Sequence, residues 1–196
     1  MSSQVNITLG NSEPVTAVVG LGSNIAYGKL SVAEVIGAAI VALESLSSAP
    51  LLVSSCYRTE PLDCAAGTPY FINAIAIVTP QESLSALTFL AELQRIERRF
   101  GRSRKRERGR ERLAAVNQSR ALDLDLICWG NLISDEDDLL LPHPRAHLRR
   151  FVLAPLAELA PDLLLPGQTV TVQQLLLQLH VGGAASRLSP SQAIDL

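Results

Sequence analysis

Residues 121–129, Ala121-Leu122-Asp123-Leu124-Asp125-Leu126-Ile127-Cys128-Trp129, decide how the rest of the chain must fold. An apolar run of this length, bounded by turn-forming residues, reads as a β-strand. Successive strand side chains alternate faces, so Asp123 and Asp125 point the same way, about 6–7 Å apart. Like charges at that spacing repel, and neither is cheap to bury unpaired. Alone, an Asp-x-Asp fits an edge strand that turns two solvated aspartates to water. It also fits a divalent cation: hard ions such as Mg²⁺ choose carboxylate oxygens, keep several waters and usually complete their octahedron with substrate phosphates. Arg120 lies just before the pair and an arginine-dense segment lies upstream, so an anion finds counter-charges too. The combination points to phosphate transfer.

Upstream of this strand, residues 16–21 form a short apolar strand that runs into the turn cluster Gly22-Ser23-Asn24. Ser31 and Glu34 fit a capping box, followed by Val35, Ile36, Ala39, Ile40, Leu43 and Leu46 at helical spacing. Residues 51–57 and 70–78 read as strands, separated by a pocket-shaping loop at 59–67. A second helix is expected from Thr79 as N-cap, Pro80 at its first position and Glu82 closing a capping box. Leu84, Leu87, Leu90, Ala91, Leu93 and Ile96 give it an inward face, and Gly101 ends it. Residues 102–119 are too charged for a packed element and are expected to be a mobile loop that closes over a nucleotide. The strand at 121–129 is expected to hairpin through Gly130-Asn131 into Leu132 and Ile133. Helices are expected around 148–159 and 172–179. The order strand, helix, strand, strand, helix, strand matches an α/β (α+β) ferredoxin-like βαββαβ core, with the additional helices packed on the sheet.

At 196 residues and 47% hydrophobic content, one domain is expected at 15–180, with a flexible N-terminal extension at 1–14 and a loose C-terminal tail at 181–196. No apolar run reaches membrane-span length, the first 14 residues do not resemble a secretory signal, and a cytoplasmic location follows as the default. Cys56, Cys64 and Cys128 are odd in number and lack C-x-x-C spacing, against a disulfide framework or a zinc site. Residues 95–112 hold ten of the 17 basic residues against three glutamates, a net +7 that leaves −9 for the rest. Such a patch in an acidic protein fits an anionic ligand met at one place, although a solvated charge run looks the same in composition. The acidic cluster Asp135-Glu136-Asp137-Asp138 has no basic or histidine partner nearby in sequence and reads as a solvated turn. His143 and His147 are four apart, but Pro144 between them argues against a helical metal pair.

Four ordered motifs resemble the 6-hydroxymethyl-7,8-dihydropterin pyrophosphokinase family. They are Gly20-Leu21-Gly22-Ser23-Asn24; Ser54-Ser55-Cys56-Tyr57-Arg58-Thr59-Glu60-Pro61 with Phe71-Ile72-Asn73; Arg120 through Asp125; and Leu141-Pro142-His143-Pro144-Arg145 through Arg149-Arg150-Phe151. The resemblance implies transfer of pyrophosphate from ATP to the hydroxymethyl group of the reduced pterin, with release of AMP. It further implies that Asp123 and Asp125 hold two Mg²⁺ ions and that Arg102 and Arg120 are catalytic arginines. Arg104, Gln94, Glu97, His143 and Arg149 match nucleotide-side positions. Phe71 and Phe151 match a sandwich around the pterin, Asn73 bonds its edge, and Thr59, Glu60 and Leu62 complete that pocket. Tyr57, Tyr70 and Trp129 are expected to be structural. Asp63 stands where the family commonly has Gly, Ser119 where it commonly has Pro, and residues 105–116 form a longer arginine-rich stretch than is usual.

The expected partners are therefore ATP and the pterin, with no nucleic acid or membrane, and a monomer. Two other functions fit parts of the pattern. A two-metal nucleotidyltransferase also pairs Gly-Ser with Asp-x-Asp, but there the two lie close together, whereas Ser23 and Asp123 are far apart in this chain. An RNA-binding ferredoxin-like module would use the basic segment, but it needs stacking aromatics on the central strands, where only Phe71 is available.

Overall fold

The computed structural model describes residues 14–61, 64–101, 119–179 and 185–187. Strand β1 (Ala17–Ser23) leads to helix α1 (Val32–Glu44), short strands β2 (Leu52–Val53) and β3 (Tyr57–Thr59), strand β4 (Phe71–Val78) and helix α2 (Ala86–Arg99). The aspartate strand β5 (Asp123–Trp129) follows, then a hairpin of β6 (Ser134–Glu136) and β7 (Leu139–Leu141), a 3₁₀ turn at Ala146–Leu148, helices α3 (Arg150–Leu159) and α4 (Val172–Gln178), and β8 (Ala185–Arg187). The main sheet runs β5-β1-β4-β3-β8, with β2 also on β4, and its strand pairs are antiparallel. This is the expected ferredoxin-like core.

Alternation along β1 divides the molecule into two layers. Ala17, Val19 and Leu21 pack under α1 and α2 together with Ala74, Ala76, Val78, Leu124 and Leu126. Val18 faces the other way, where Ile75, Ile77, Ile127 and Cys128 meet Val152, Leu153 and Leu156 of α3 and Val172 and Leu175 of α4. The later helices thus cover the second face. Toward the far end of β1 that face carries Gly20 and Gly22 in place of bulky residues, and a cleft remains there.

The Ser31–Glu34 capping box forms as expected, with Glu34 Oε2 accepting the Ser31 N–H at 2.8 Å, and Val35, Ile36, Ala39, Ile40, Leu43 and Leu46 are all buried. The second helix differs from expectation. Its N-cap is Ser85, boxed with Thr88, and Thr79 is not a cap. Thr79 directly follows β4 and gives its carbonyl to Ser48 N–H, while Gln81 N–H bonds the Leu46 carbonyl. That anchoring holds residues 79–84 as a turn against the end of α1. The later start rotates the inward face to Ala86, Phe89, Leu93 and Ile96, with Leu84 and Leu90 partly buried against the same core. Leu87 and Ala91 are therefore exposed.

The strand expected at 51–57 divides in two, because Ser54 bonds Ile75 through backbone and side chain and the pairing resumes only at Tyr57, which then extends to Thr59. No hairpin forms between β5 and the segment after it. Leu132 and Ile133 are exposed, and β6 pairs with β7, placing the exposed Asp135-Glu136-Asp137-Asp138 cluster at the hairpin tip. Within the tail expected to be loose, Ala185–Arg187 adds to the open edge of β3. Cys56 and Cys128 are buried, Cys64 is partly exposed, and none of the three forms a disulfide. Among the described residues no helix is long and apolar enough to cross a membrane.

Candidate active site

Antiparallel pairing fixes the two aspartates. Asp123 lies opposite Gly22 and Asp125 opposite Gly20, so both carboxylates stand beside positions of β1 that carry no side chain. β5 is bound by β1 on one side only. On its other side the N–H of Leu124, between the aspartates, donates to Glu97 Oε1 at 2.8 Å. Glu97 is 1% exposed. A carboxylate from α2 therefore sets the edge of the strand that carries the pair. Arg120 Nη1 donates to Asp123 Oδ2 at 2.7 Å, with both side chains only about one-fifth exposed. Burial of this order makes the pair stronger than an open surface bridge.

The aromatic side of the cleft is built from β3, β4 and α3. Asn73, opposite Gly22 in the register, donates through Nδ2 to Thr59 Oγ1 at 2.7 Å, and both residues are buried. That bond fixes the amide. A methyl group at Gly22 would approach Asn73 Oδ1 to 3.1 Å, so the glycine keeps this acceptor clear. Phe71 at the start of β4 and Phe151 on α3 line the same opening with Thr59, Glu60 and Cys64. Arg120, Asp123, Asp125 and Arg149 complete a cleft of about 470 Å³, open solvent included.

Arg149 stands 5.2 Å over the Phe151 ring. Burial pulls the guanidinium affinity for its proton below the ordinary range, Asp125 works against that shift, and the neighbouring positive Arg145 adds to it. Arginine stays charged regardless, so the cleft holds a partly desolvated cation beside two carboxylates. Such a cation is ready to meet an anion with little further desolvation.

Of the residues singled out in the sequence, Thr59, Glu60, Phe71, Asn73, Arg120, Asp123, Asp125, Arg149 and Phe151 come together in this cleft. Gln94 is half-buried on α2 and does not line it. His143 does not line it either. Its N–H bonds the Ile127 carbonyl, and its Nδ1 accepts the Arg145 N–H at 3.2 Å. Glu97 supports β5 from within. Leu62, Arg102 and Arg104 lie outside the described residues, as does almost all of the expected loop at 102–119. Tyr57 bonds Glu158 at 3.0 Å, Tyr70 lies under Arg58, and Trp129 packs on Phe89 at 5.3 Å, all structural contacts. Cys64 and Gly22 line the cleft without having been singled out individually as site residues. Gly22 was legible as part of its motif; Cys64 carried no signal.

Among the described residues there is no group of three or more His, Cys, Asp or Glu side chains poised for a metal. Two same-facing carboxylates, with no third His, Cys, Asp or Glu grouped with them among the described residues, suit a hard cation that draws its remaining oxygens from water and phosphate. They do not suit zinc.

The model of the family 7,8-dihydro-6-hydroxymethylpterin-pyrophosphokinase matches residues 18–161. The 2-amino-4-hydroxy-6-hydroxymethyldihydropteridine pyrophosphokinase of Haemophilus influenzae is 38% identical over 160 residues, covering 81% of this chain and 90% of its own. The Pseudomonas aeruginosa protein of the same name is 40% identical over 149 residues, covering 76% and 82%. Among solved structures, Plasmodium falciparum HPPK-DHPS superposes with a TM-score of 0.62 at 13% identity over 87% of this chain. The match spans 45% of the Plasmodium chain and speaks for the fold alone.

Proposed function

Because the chain belongs to the 7,8-dihydro-6-hydroxymethylpterin-pyrophosphokinase family, we propose that its cleft residues divide the work of that reaction between an aromatic side and a phosphate side. The chain transfers pyrophosphate from ATP to the hydroxymethyl group of 6-hydroxymethyl-7,8-dihydropterin in folate biosynthesis. The hydroxymethyl oxygen bonds the β-phosphorus, the bond from that phosphorus to the α-phosphate oxygen breaks, the hydroxyl proton is lost, and AMP leaves.

On the aromatic side, Phe71 and Phe151 take the two faces of the flat pterin, and Asn73 meets its edge with Oδ1 while Nδ2 stays on Thr59. Glu60 and, by resemblance, Leu62 border the ring. On the phosphate side, Asp123 and Asp125 would hold Mg²⁺, two ions by resemblance, which would supply charge neutralisation to the triphosphate. Arg149 supplies a fixed cation to the phosphates. Arg120 is held on Asp123, and its engagement of phosphate would exchange that carboxylate for the incoming anion, leaving the Asp123 oxygens available as ligands. Phosphoryl-type transfer depends mainly on such positioning and charge neutralisation. Arg102, Arg104, Gln94 and His143 are assigned to the nucleotide by resemblance. Glu97 acts through β5.

The observation that carries this reading is that one cleft gathers two phenylalanines, a fixed amide, the paired carboxylates of Asp123 and Asp125 and two arginines. It is tested by mixing the protein with Mg²⁺, ATP and the pterin and separating the nucleotides, with a no-pterin control. Pterin-dependent AMP is expected. ADP, free pyrophosphate or RNA binding without turnover would overturn the reading. Three cysteines outside any disulfide support the cytoplasm as compartment. A monomer with one catalytic domain at 15–180 completes the proposal.

A further inference from the structure

Asn24 directly follows β1 and is 4% exposed, yet it lies outside the cleft lining. Its Oδ1 accepts the N–H of Arg120 at 2.7 Å, and its own N–H donates to the Arg120 carbonyl at 3.2 Å. Its Nδ2 donates to Ser119 Oγ at 3.1 Å and to the carbonyl of Pro69 at 3.3 Å. An asparagine in a turn ordinarily bonds its own backbone within a few residues. Here the partners are 96 and 45 positions away. One end of the amide holds the residue whose side chain binds Asp123, and the other holds the residue two before Phe71. A buried amide satisfied at both ends is a rigid strut, because either end released leaves a polar group without water.

We propose that Asn24 is a positioning residue that ties Arg120 to the chain entering β4, and so fixes the spacing between the phosphate and aromatic sides of the cleft. This rests on the pyrophosphokinase reading and adds a coupling element to it. The two substrates react across the gap the strut spans, and misplacement on the order of 1 Å can cost about a hundredfold in rate. Arg120 must also exchange partners during the cycle, and a backbone held at both N–H and C=O lets its side chain move while its origin stays fixed.

The test uses steady-state kinetics of the full chain with ATP and pterin varied, alongside thermal melting, for Asn24→Ala and Asn24→Asp. Asn24→Asp keeps the oxygen that accepts Arg120 N–H and loses both amide donations. It is expected to raise the pterin KM about tenfold with kcat within about threefold of wild type. Asn24→Ala loses both ends and is expected to lower kcat about tenfold or more as well. A merely structural role would lower the melting temperature and the active fraction while leaving KM alone. A pterin KM within twofold of wild type in both variants overturns the inference, as does an Asn24→Asp kcat as low as that of Asn24→Ala. Should Asn24→Ala not fold, the pterin KM of Asn24→Asp decides alone. A wild-type chain that makes no AMP overturns the function and this inference together, whereas an active wild type with unaltered variants overturns the inference only.

Discussion

Replacing Glu97 by Ala removes the acceptor that holds the N–H of Leu124 at 2.8 Å. Both residues are essentially inaccessible to water, so no solvent molecule takes over and a buried N–H is orphaned. Such a loss costs about 2–3 kcal/mol. For a chain of this size each kcal/mol lowers the melting temperature by about 2–4 °C, so a fall of about 4–12 °C is expected. The same bond sets β5 between Asp123 and Asp125, and its release is expected to lower AMP formation on the order of a hundredfold. Glu97→Gln keeps an acceptor of the same reach and should recover most of the stability. Differential scanning fluorimetry and a chromatographic AMP assay measure both quantities. An alanine variant melting within 1 °C of wild type, or a glutamine variant as damaged as alanine, would refute the view that Glu97 works by accepting this bond.

Asp125→Ala should abolish Mg²⁺-dependent AMP release while the protein melts within a few degrees of wild type, since one of two like charges is relieved; retained turnover would remove Asp125 from the metal site. Asn73→Ala breaks the bond to Thr59 and is expected to raise the pterin KM about tenfold with the ATP KM changed less than twofold, read from the same assay. Burial pushes the Cys128 thiol up to about 12 from an ordinary 9.0. Its folded affinity for the proton exceeds the unfolded one, so the associated stability is complete below about pH 9 and is lost as pH rises toward 12. Urea midpoints should report about 2 kcal/mol less stability at pH 10.5 than at pH 8 from this group, and Cys128→Ala should remove that part of the slope.

The first half of the fold was legible because its local signals agree with its contacts. Ser31 and Glu34 really do cap α1, and the apolar spacing that follows really does face the sheet. Thr79-Pro80-Gln81-Glu82 carries equally good capping chemistry, but the Thr79 carbonyl is claimed by Ser48 from the end of α1, and a tertiary anchor outweighs a cap worth about 1 kcal/mol. β8 has no hydrophobic pattern of its own and exists as a partner for β3. In the site, period-two alternation was enough to place Asp123 and Asp125 on one face. Phe71 and Phe151 reached the pocket only through resemblance, since a phenylalanine normally signals a core. Glu97 entered only as a nucleotide-side position by resemblance, and nothing local marks it as the acceptor for Leu124. Asn24 reads as a turn former, because bonds across 96 positions leave no local trace.

Gly20 and Gly22 both look toward the cleft, yet they are unequal. A methyl group at position 20 would meet Ile127 Cδ1 at 3.5 Å, an ordinary contact with a flexible tip. At position 22 it would press on the Asn73 amide at 3.1 Å, which is already pinned to Thr59. One glycine is therefore open to drift and the other closed to it, though they stand two residues apart on the same strand face. A library randomised at both positions and selected for growth without supplied folate, in cells that depend on this chain to make it, would fill with alanine at the first and stay glycine at the second. The width of the substrate slot is thus recorded in an atom the chain does not have.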